Sequence, residues 1–213
     1  MPLIKKSLGE PVYSPSAAET DDGQHGAAAA LRSASAQARW QAARKLAEFA
    51  DAVPELARQL SDEPDERVRE AILTSLAHIN TAESFDAILG YLRVDDAALR
   101  TASLDALKLM PDAVGLRLDA LLQDPDTDVR VLACDLARVA APALAQKSLA
   151  KVLATEPEIN VCAAAIELLA EIGTPEILPD LQRCADRFGT PFLHFSVRMA
   201  KDQIIARSAQ PQE

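Results

Sequence analysis

Side chains of the kinds that perform catalysis or bind metals are few in this sequence, and they lie far apart. They are three histidines and three cysteines, at His25, His78, His194, Cys134, Cys162 and Cys184. A metal site or an acid–base pair needs such groups brought together at bonding distance. The sequence has no CxxC, no Gly-rich phosphate loop and no GxSxG motif. It therefore predicts no catalytic residue, no metal ligand and no cofactor, and the cysteines are expected to fill the core.

A capping or acidic residue recurs four residues before an arginine, and an acid–base pair of this kind could in principle transfer protons. The pairs are Ser35/Arg39, Asp65/Arg69, Asp96/Arg100 and Asp126/Arg130, and the series ends in Glu158/Cys162. The second member advances by 30 or 31 residues at each step and by 32 at the last. A catalytic pair would occur once, whereas recurrence at one period indicates a repeat architecture and a structural role.

Each pair stands at the start of a predicted amphipathic helix. In the stretch 124–140, Asp126 is a suitable N-cap, and Val129 and Ala133 begin an apolar stripe with helical spacing. Arg130 falls inside that stripe, and a buried unpaired charge costs several kcal/mol, so this arginine needs a partner. Asp126 is the predicted partner because it lies four residues earlier on the same face of the helix.

A second helix follows each of these helices, so the predicted unit is a helix pair. The five pairs are 35–49 with 54–60, 65–79 with 82–93, 96–110 with 112–123, 126–140 with 142–154, and 158–172 with 175–188. Pro179 lies too deep for a helix start, so the last second helix should kink or begin late. A short helix at 27–32 and a final helix at 190–205 are expected to cap the array. The packing residues predicted for the final helix are Phe192, Phe195, Met199 and Ile204.

Composition and charge narrow the class of protein. The 213 residues carry a formal net charge of -10, which argues against binding to nucleic acid or to anionic lipid. No apolar run reaches the roughly 18 residues of a membrane span, and the first residues lack the apolar core of a secretory signal, so the cytoplasm is the expected location. Residues 1–22 are predicted to be a flexible arm, 23–207 a single solenoid, and 208–213 a loose tail.

These repeated columns resemble a known family. The pattern D-x-x-V-R-x-x-A-x-x-x-L-x-x-I, in units of about 30 residues, is similar to the short HEAT repeats of phycobilisome lyases, and it covers 27–188. The resemblance implies an all-α, right-handed α-α superhelix of about five helix pairs with terminal capping helices. It also implies that the Asp and Arg residues form a ladder between repeats, with Cys162 breaking the last rung, and that the second helices line the concave face.

Two groups of residues are predicted to bind a partner. Trp40 occupies a column about 160° from the centre of the apolar stripe, where we expect it to be exposed unless the arm covers it. Contact with the arm or a partner and local packing at the end of the array both remain open. The second group is the expected concave lining, which changes from acidic to basic along the array: Asp86, Tyr91, Leu116, Asp119, Lys147, Lys151, Arg183 and Arg187.

The function predicted from these features is a non-catalytic scaffold or adaptor. It would present a curved helical surface to a protein or peptide partner, in bacterial signalling or complex assembly. An accessory subunit of a phycobilin-type chromophore lyase, or of another maturation enzyme, stays open as the alternative. The sequence does not specify the partner, because this scaffold serves many tasks.

Overall fold

The computed structural model describes residues 17–209, with side chains from residue 23 onward, and this part of the chain forms twelve α-helices in two layers. After α1 (Ala17–Ala30), first and second helices alternate. The first layer consists of α2 (Ala36–Leu46), α4 (Glu66–Ile79), α6 (Ala97–Lys108), α8 (Thr127–Leu136), α10 (Ile159–Ile172) and α12 (Pro191–Ser208). The second layer consists of α3 (Val53–Asp62), α5 (Ala82–Leu89), α7 (Pro111–Leu121), α9 (Pro142–Thr155) and α11 (Leu178–Phe188). The expected all-α solenoid of helix pairs is confirmed.

Polar side chains fix where the first helices begin. The hydroxyl of Ser35 and the carboxylates of Asp65, Asp96 and Asp126 each accept a hydrogen bond from a backbone N–H of the first turn that follows. These bonds satisfy donors that have no partner inside the helix. Prolines occupy the first turn of most second helices. Pro179 is among them, because α11 begins only at Leu178, after a short 3₁₀ turn, and the predicted late start is confirmed.

The apolar columns of the repeat pack into one continuous core between the layers. Val68, Ile72 and Leu76 of α4 are all fully buried, and so are Val129 and Ala133 of α8. Each first helix therefore contributes a stripe with three- and four-residue spacing, as the sequence predicts. The cysteines at 134, 162 and 184 are likewise buried and free, as expected of small core residues.

Arginine–glutamate pairs join the first repeat to the second and the fourth to the fifth. The guanidinium of Arg39 donates to both oxygens of Glu63, at 2.8 and 2.7 Å, and to the carbonyl of Ser33. Glu63 also accepts from Gln59 and from the backbone N–H of Asp65, and its side chain has no exposed surface. The hydrogen bond from Arg39 is the main reason that the pKa of Glu63 is lowered.

Arg130 repeats this arrangement three units later. It donates to both oxygens of Glu156, at 2.9 and 3.0 Å, and to the carbonyl of Asp124. The prediction that Arg130 pairs with Asp126 of its own helix is therefore wrong, and the same holds for Arg39 and Ser35. The reason is that the residue at the helix start is engaged as an N-cap. The carboxylate comes instead from the loop that precedes the next first helix.

The rungs between the middle repeats are weaker. The guanidinium of Arg69 lies 3.9 Å from a carboxylate oxygen of Asp96, whose side chain is substantially exposed. Arg100 donates to the carbonyl of Val94, in the loop before its own helix. Glu63 and Glu156 each stand two residues before the N-cap of a first helix. In the third repeat this position holds Val94. Before the fourth repeat it holds Asp124, which pairs with Arg93. The arginine rungs near the two ends of the array are thus bidentate, whereas those at its centre are not.

Cys162 takes the arginine column in the fifth repeat, and another arginine fills the space. Arg187 of α11 donates to the carbonyl of Leu153 and lies 3.7 Å from the sulfur of Cys162. The thiol itself points at the carbonyl of Glu156. The guanidinium is therefore supplied from the second layer where the first layer lacks it, and the array stays continuous through α11.

Both ends of the array differ from the sequence prediction. The helix α12 is the first helix of a sixth repeat: Thr190 caps it, and Leu193, Val197 and Ile204 fill the buried columns. The predicted packing of Phe192, Phe195 and Met199 is wrong, since all three side chains are exposed, on columns that are exposed or half-buried in the other repeats. At the other end, α1 begins at Ala17, inside the predicted arm, because an alanine-rich stretch favours helix. Residues 1–16 and 210–213, the rest of the arm and most of the tail, lie outside the described residues.

Candidate functional site

At most steps along the array, neighbouring first helices contact one another more extensively than neighbouring second helices do. The first helices therefore present a continuous face, which is a candidate binding surface. The resemblance to the lyase-type repeats implies instead that the second helices line the concave face. The concave surface of a solenoid is its usual binding surface.

Three exposed columns of the first helices form this continuous face, which we call the first-helix surface. They stand two residues before, one after and five after the arginine column, so they share one face of each helix. From α2 to α12 they hold Gln37, Trp40 and Arg44; Arg67, Glu70 and Thr74; Ala98, Thr101 and Asp105; Asp128, Val131 and Asp135; Asn160, Ala163 and Glu167; and Phe192, Phe195 and Met199. Most of these side chains are exposed, and the others are half-buried.

The character of the first-helix surface changes along the array. Its first two helices carry Arg44, Arg67 and Glu70, whereas the next three carry only acidic charges in these columns, such as Asp105, Asp135 and Glu167. The last helix carries large apolar side chains. A partner that lies along this surface would thus meet mixed-charge, acidic and apolar regions in turn. Charge complementarity of this kind fixes the register and orientation of a bound chain.

The apolar end of the first-helix surface is a cleft between α10 and α12 of about 690 Å³. Phe192, Phe195 and Met199 line one wall and are 55%, 54% and 43% exposed. Ala163 and Ala164 of α10 are small and half-buried, so they leave room beside the aromatic rings. Contiguous large apolar groups at a surface are typical of interaction sites, because leaving them in water is unfavourable.

Trp40 lies at the opposite end of the same surface. It occupies the column of Phe195, but it is half-buried in a cleft between α2 and α4, against Glu70 and Ala71. The guanidinium of Arg44 lies 4.8 Å from the centre of its ring. Of the two alternatives left open for Trp40, local packing accounts for these contacts, and its accessible edge remains a candidate contact for a partner.

Ion pairs occupy several of the predicted partner-binding residues of the second layer. Asp86 of α5 pairs with Arg117 of α7. Asp119 of α7 accepts from Lys151, at 2.5 Å, and from Ser148. These two bonds, with that from Lys151 the larger cause, lower the pKa of Asp119. Because each acid is paired with a cation of the same surface, the predicted change from acidic to basic is weaker than the sequence indicates.

The remaining residues of that group are scattered. Leu116 is 89% exposed, and Lys147 is exposed on the next helix. Arg183 pairs with Asp180 of its own helix, and Arg187 is engaged at the fifth repeat. Tyr91 is half-buried, and this burial is the main reason that the pKa of its phenol is raised. The structure therefore brings Asp119, Ser148 and Lys151 together but does not unite the whole predicted set.

In the described part of the chain, no group of three or more His, Cys, Asp or Glu side chains could hold a metal ion. None of the helices described there is both long and apolar enough to cross a membrane. The buried thiol of Cys134 has a pKa raised to about 12, chiefly by burial, and a thiol in that state is a poor nucleophile.

The repeated helix pairs define an α-helical repeat solenoid. Residues 26–108 match the family model of HEAT repeats, which confirms the predicted resemblance, and the same columns continue through Ile204. No curated protein sequence matches the chain.

Several solved structures have a similar architecture at low identity. A HEAT-like repeats protein from the archaeon Thermococcus onnurineus NA1 is 15% identical, with 87% of this chain and 88% of that chain covered and a TM-score of 0.45. The CpcE–CpcF complex of phycocyanin lyase from Nostoc sp. PCC7120 is 16% identical, with 95% and 100% covered and a TM-score of 0.38. An engineered protein is 19% identical, with 87% and 97% covered and a TM-score of 0.42. These likenesses are distant, and the description of the fold rests on the internal repeat and the helix packing.

Proposed function

We propose that this protein is a non-catalytic scaffold that binds a partner protein along its first-helix surface. The observation that carries the proposal is the exposure of Phe192, Phe195 and Met199 together on one helix of that surface. In repeats two to five the same columns are mostly polar or small, so the sixth differs from its neighbours where a partner would gain most from apolar contact. The repeat fold supports this role, since HEAT-like arrays usually present surfaces to other proteins.

A comparison of the two surfaces tests the proposal. A first-surface variant would carry Glu167→Lys and Met199→Asp, and a second-surface variant would carry Lys147→Glu and Lys151→Glu. Proteins captured by the tagged chain from its native cells would be quantified by mass spectrometry, after circular dichroism shows that both variants fold. We expect partners to be lost by the first variant and kept by the second.

The opposite result would place the binding site on the second helices. Loss of partners by the second-surface variant alone would restore the concave lining predicted from sequence, and equal capture by both variants would reject the first-helix surface as the binding site. Each variant carries two substitutions at exposed positions, so that neither alters the buried core.

The alternative predicted from sequence, an accessory subunit of a chromophore lyase, has its own readout. Such a subunit would need a paired subunit and a bound tetrapyrrole, and it would be coloured when it is produced together with a phycobilin pathway. A purified chain without visible absorbance under those conditions would count against this alternative and leave the scaffold proposal unchanged.

A further inference from the structure

The cleft between α10 and α12, here called the terminal groove, combines an apolar wall with an acidic rim. Phe192, Phe195 and Met199 form the apolar wall. Among the described residues that line the groove, the charged ones are Glu167 and Glu171, both on the α10 side and both exposed. Glu171 also pairs with a neighbouring arginine, whereas Glu167 projects from one of the three exposed columns. The chemistry of the groove therefore suits a segment with bulky apolar side chains next to lysine or arginine.

One stretch of this chain has that chemistry and lies outside the described residues. Positions 3–8 read LIKKSL, in which Leu3, Ile4 and Leu8 are apolar and Lys5 and Lys6 are basic. The apolar side chains match the aromatic wall, and the ammonium groups match the acidic rim, where Glu167 projects from an exposed column. Elsewhere the adjacent basic pair Arg44-Lys45 already lies within a folded helix, with Arg44 over an indole ring.

We propose that residues 3–8 of one copy dock in the terminal groove of a second copy. The length of the segment that connects these residues to α1 decides whether the groove belongs to the same copy or to another one. Residues 9–16 and the bond to α1 span at most about 30 Å when fully extended. Five steps between packed first-layer helices, each about 8–10 Å, separate α1 from α10. A segment tethered at α1 thus falls short of its own groove and meets the groove of a neighbour.

This contact is heterologous, because the segment and the groove lie at opposite ends of the molecule. Each copy then offers one free segment and one free groove, so association continues head to tail and depends on protein concentration. The proposal identifies a second copy as one partner of the first-helix surface, and in that respect it rests on the proposed function.

Sedimentation velocity of the full chain over a wide range of concentrations tests the contact. We expect the average mass to rise with concentration. The association constant should fall about ten-fold or more for Lys5→Glu/Lys6→Glu and for Phe195→Asp/Met199→Asp. Adding Glu167→Lys to the first of these variants should recover part of the association. The matched controls are Lys147→Glu/Lys151→Glu, with the same charge change, and Leu109→Asp, an exposed apolar residue of another cleft.

A labelled peptide of residues 1–16 provides a second measurement. It should bind the full chain, and the groove variant and a peptide with Lys5→Glu/Lys6→Glu should each lose binding by about ten-fold or more. Circular dichroism of every variant separates loss of contact from loss of fold.

Three results would overturn the docking of residues 3–8. They are a mass that does not change with concentration, an unaffected lysine variant, and a groove variant that still binds the peptide. If the groove variant alone stops associating, a symmetric contact through α12 replaces the proposed one. The capture of other proteins through the first-helix surface is measured separately, so the proposed function survives each of these results and fails only on its own comparison.

Discussion

Replacing Glu156 by glutamine should show how much one rung contributes to stability. In the fourth rung, Glu156 is 6% exposed and accepts two hydrogen bonds from Arg130 and one from the backbone N–H of Glu158. Glu156→Gln preserves the shape of the side chain but removes its charge and one acceptor. A hydrogen bond that involves a charged group contributes about 1.5–3 kcal/mol, and breaking a buried ion pair costs about 3–5 kcal/mol. Because the guanidinium of Arg130 keeps its bonds to backbone carbonyls, we expect a loss of about 2–3 kcal/mol.

The assay is urea unfolding followed by circular dichroism, with hydrogen exchange as a local readout. Repeat arrays can unfold in parts, so exchange in α10 tells whether the loss is confined to the joint between repeats four and five. The matched control is Glu158→Gln, an exposed carboxylate two residues later whose side chain makes no capping bond. In a chain of this size, 2–3 kcal/mol corresponds to a fall in Tm of roughly 5–10 °C. A loss under about 1 kcal/mol, equal to that of the control, would show that the rung acts like an ordinary surface ion pair and would refute the reasoning.

Three further predictions follow from single residues. The pKa of Glu63 is lowered in the folded chain, so the stability that this carboxylate contributes is present above the ordinary pKa of 4.5 and is lost as the pH falls below it. The free energy of unfolding of Glu63→Gln should therefore fall less steeply on acidification than that of the wild type. Ser103 has a buried hydroxyl with no described partner, so Ser103→Ala should raise the free energy of unfolding by about 1 kcal/mol, whereas Ser75→Ala, which removes a bonded hydroxyl, should not, as measured by urea unfolding. Deletion of residues 1–16 should leave the emission spectrum of Trp40 unchanged, and a shifted spectrum would show that the missing segment contacts this ring.

The periodic part of the fold could be predicted from the sequence because the same pattern of residue types recurs in each repeat. Matched columns gave the helix pairs, the N-caps and the buried stripes, and the structure confirms them. The partner of Arg130 could not be found in the same way. Glu156 lies 26 residues later in the chain, outside the helix that the pattern describes. The recurrence of a carboxylate two residues before the N-cap, as in Glu63 and Glu156, was the available signal.

The end of the array and the binding surface were harder to predict. In the sixth repeat, His194 and Lys201 occupy the arginine and leucine columns, so the sequence pattern is interrupted there. Leu193 and Val197 still mark the buried stripe. The side on which a solenoid curves depends on the relative spacing of its two layers. That spacing follows from many small packing contacts and not from any one column, so the sequence pattern alone does not determine which layer is concave.

The uneven strength of the rungs has a mechanical consequence. Bidentate arginine–glutamate joints hold repeats one and two, and again four and five, in fixed relative orientations. Between them, Arg69 reaches only an exposed carboxylate at 3.9 Å, and Arg100 bonds to its own loop. We therefore expect bending or twisting of the molecule to concentrate at its midpoint, where it would change the relative orientation of the two halves without disturbing the bidentate joints.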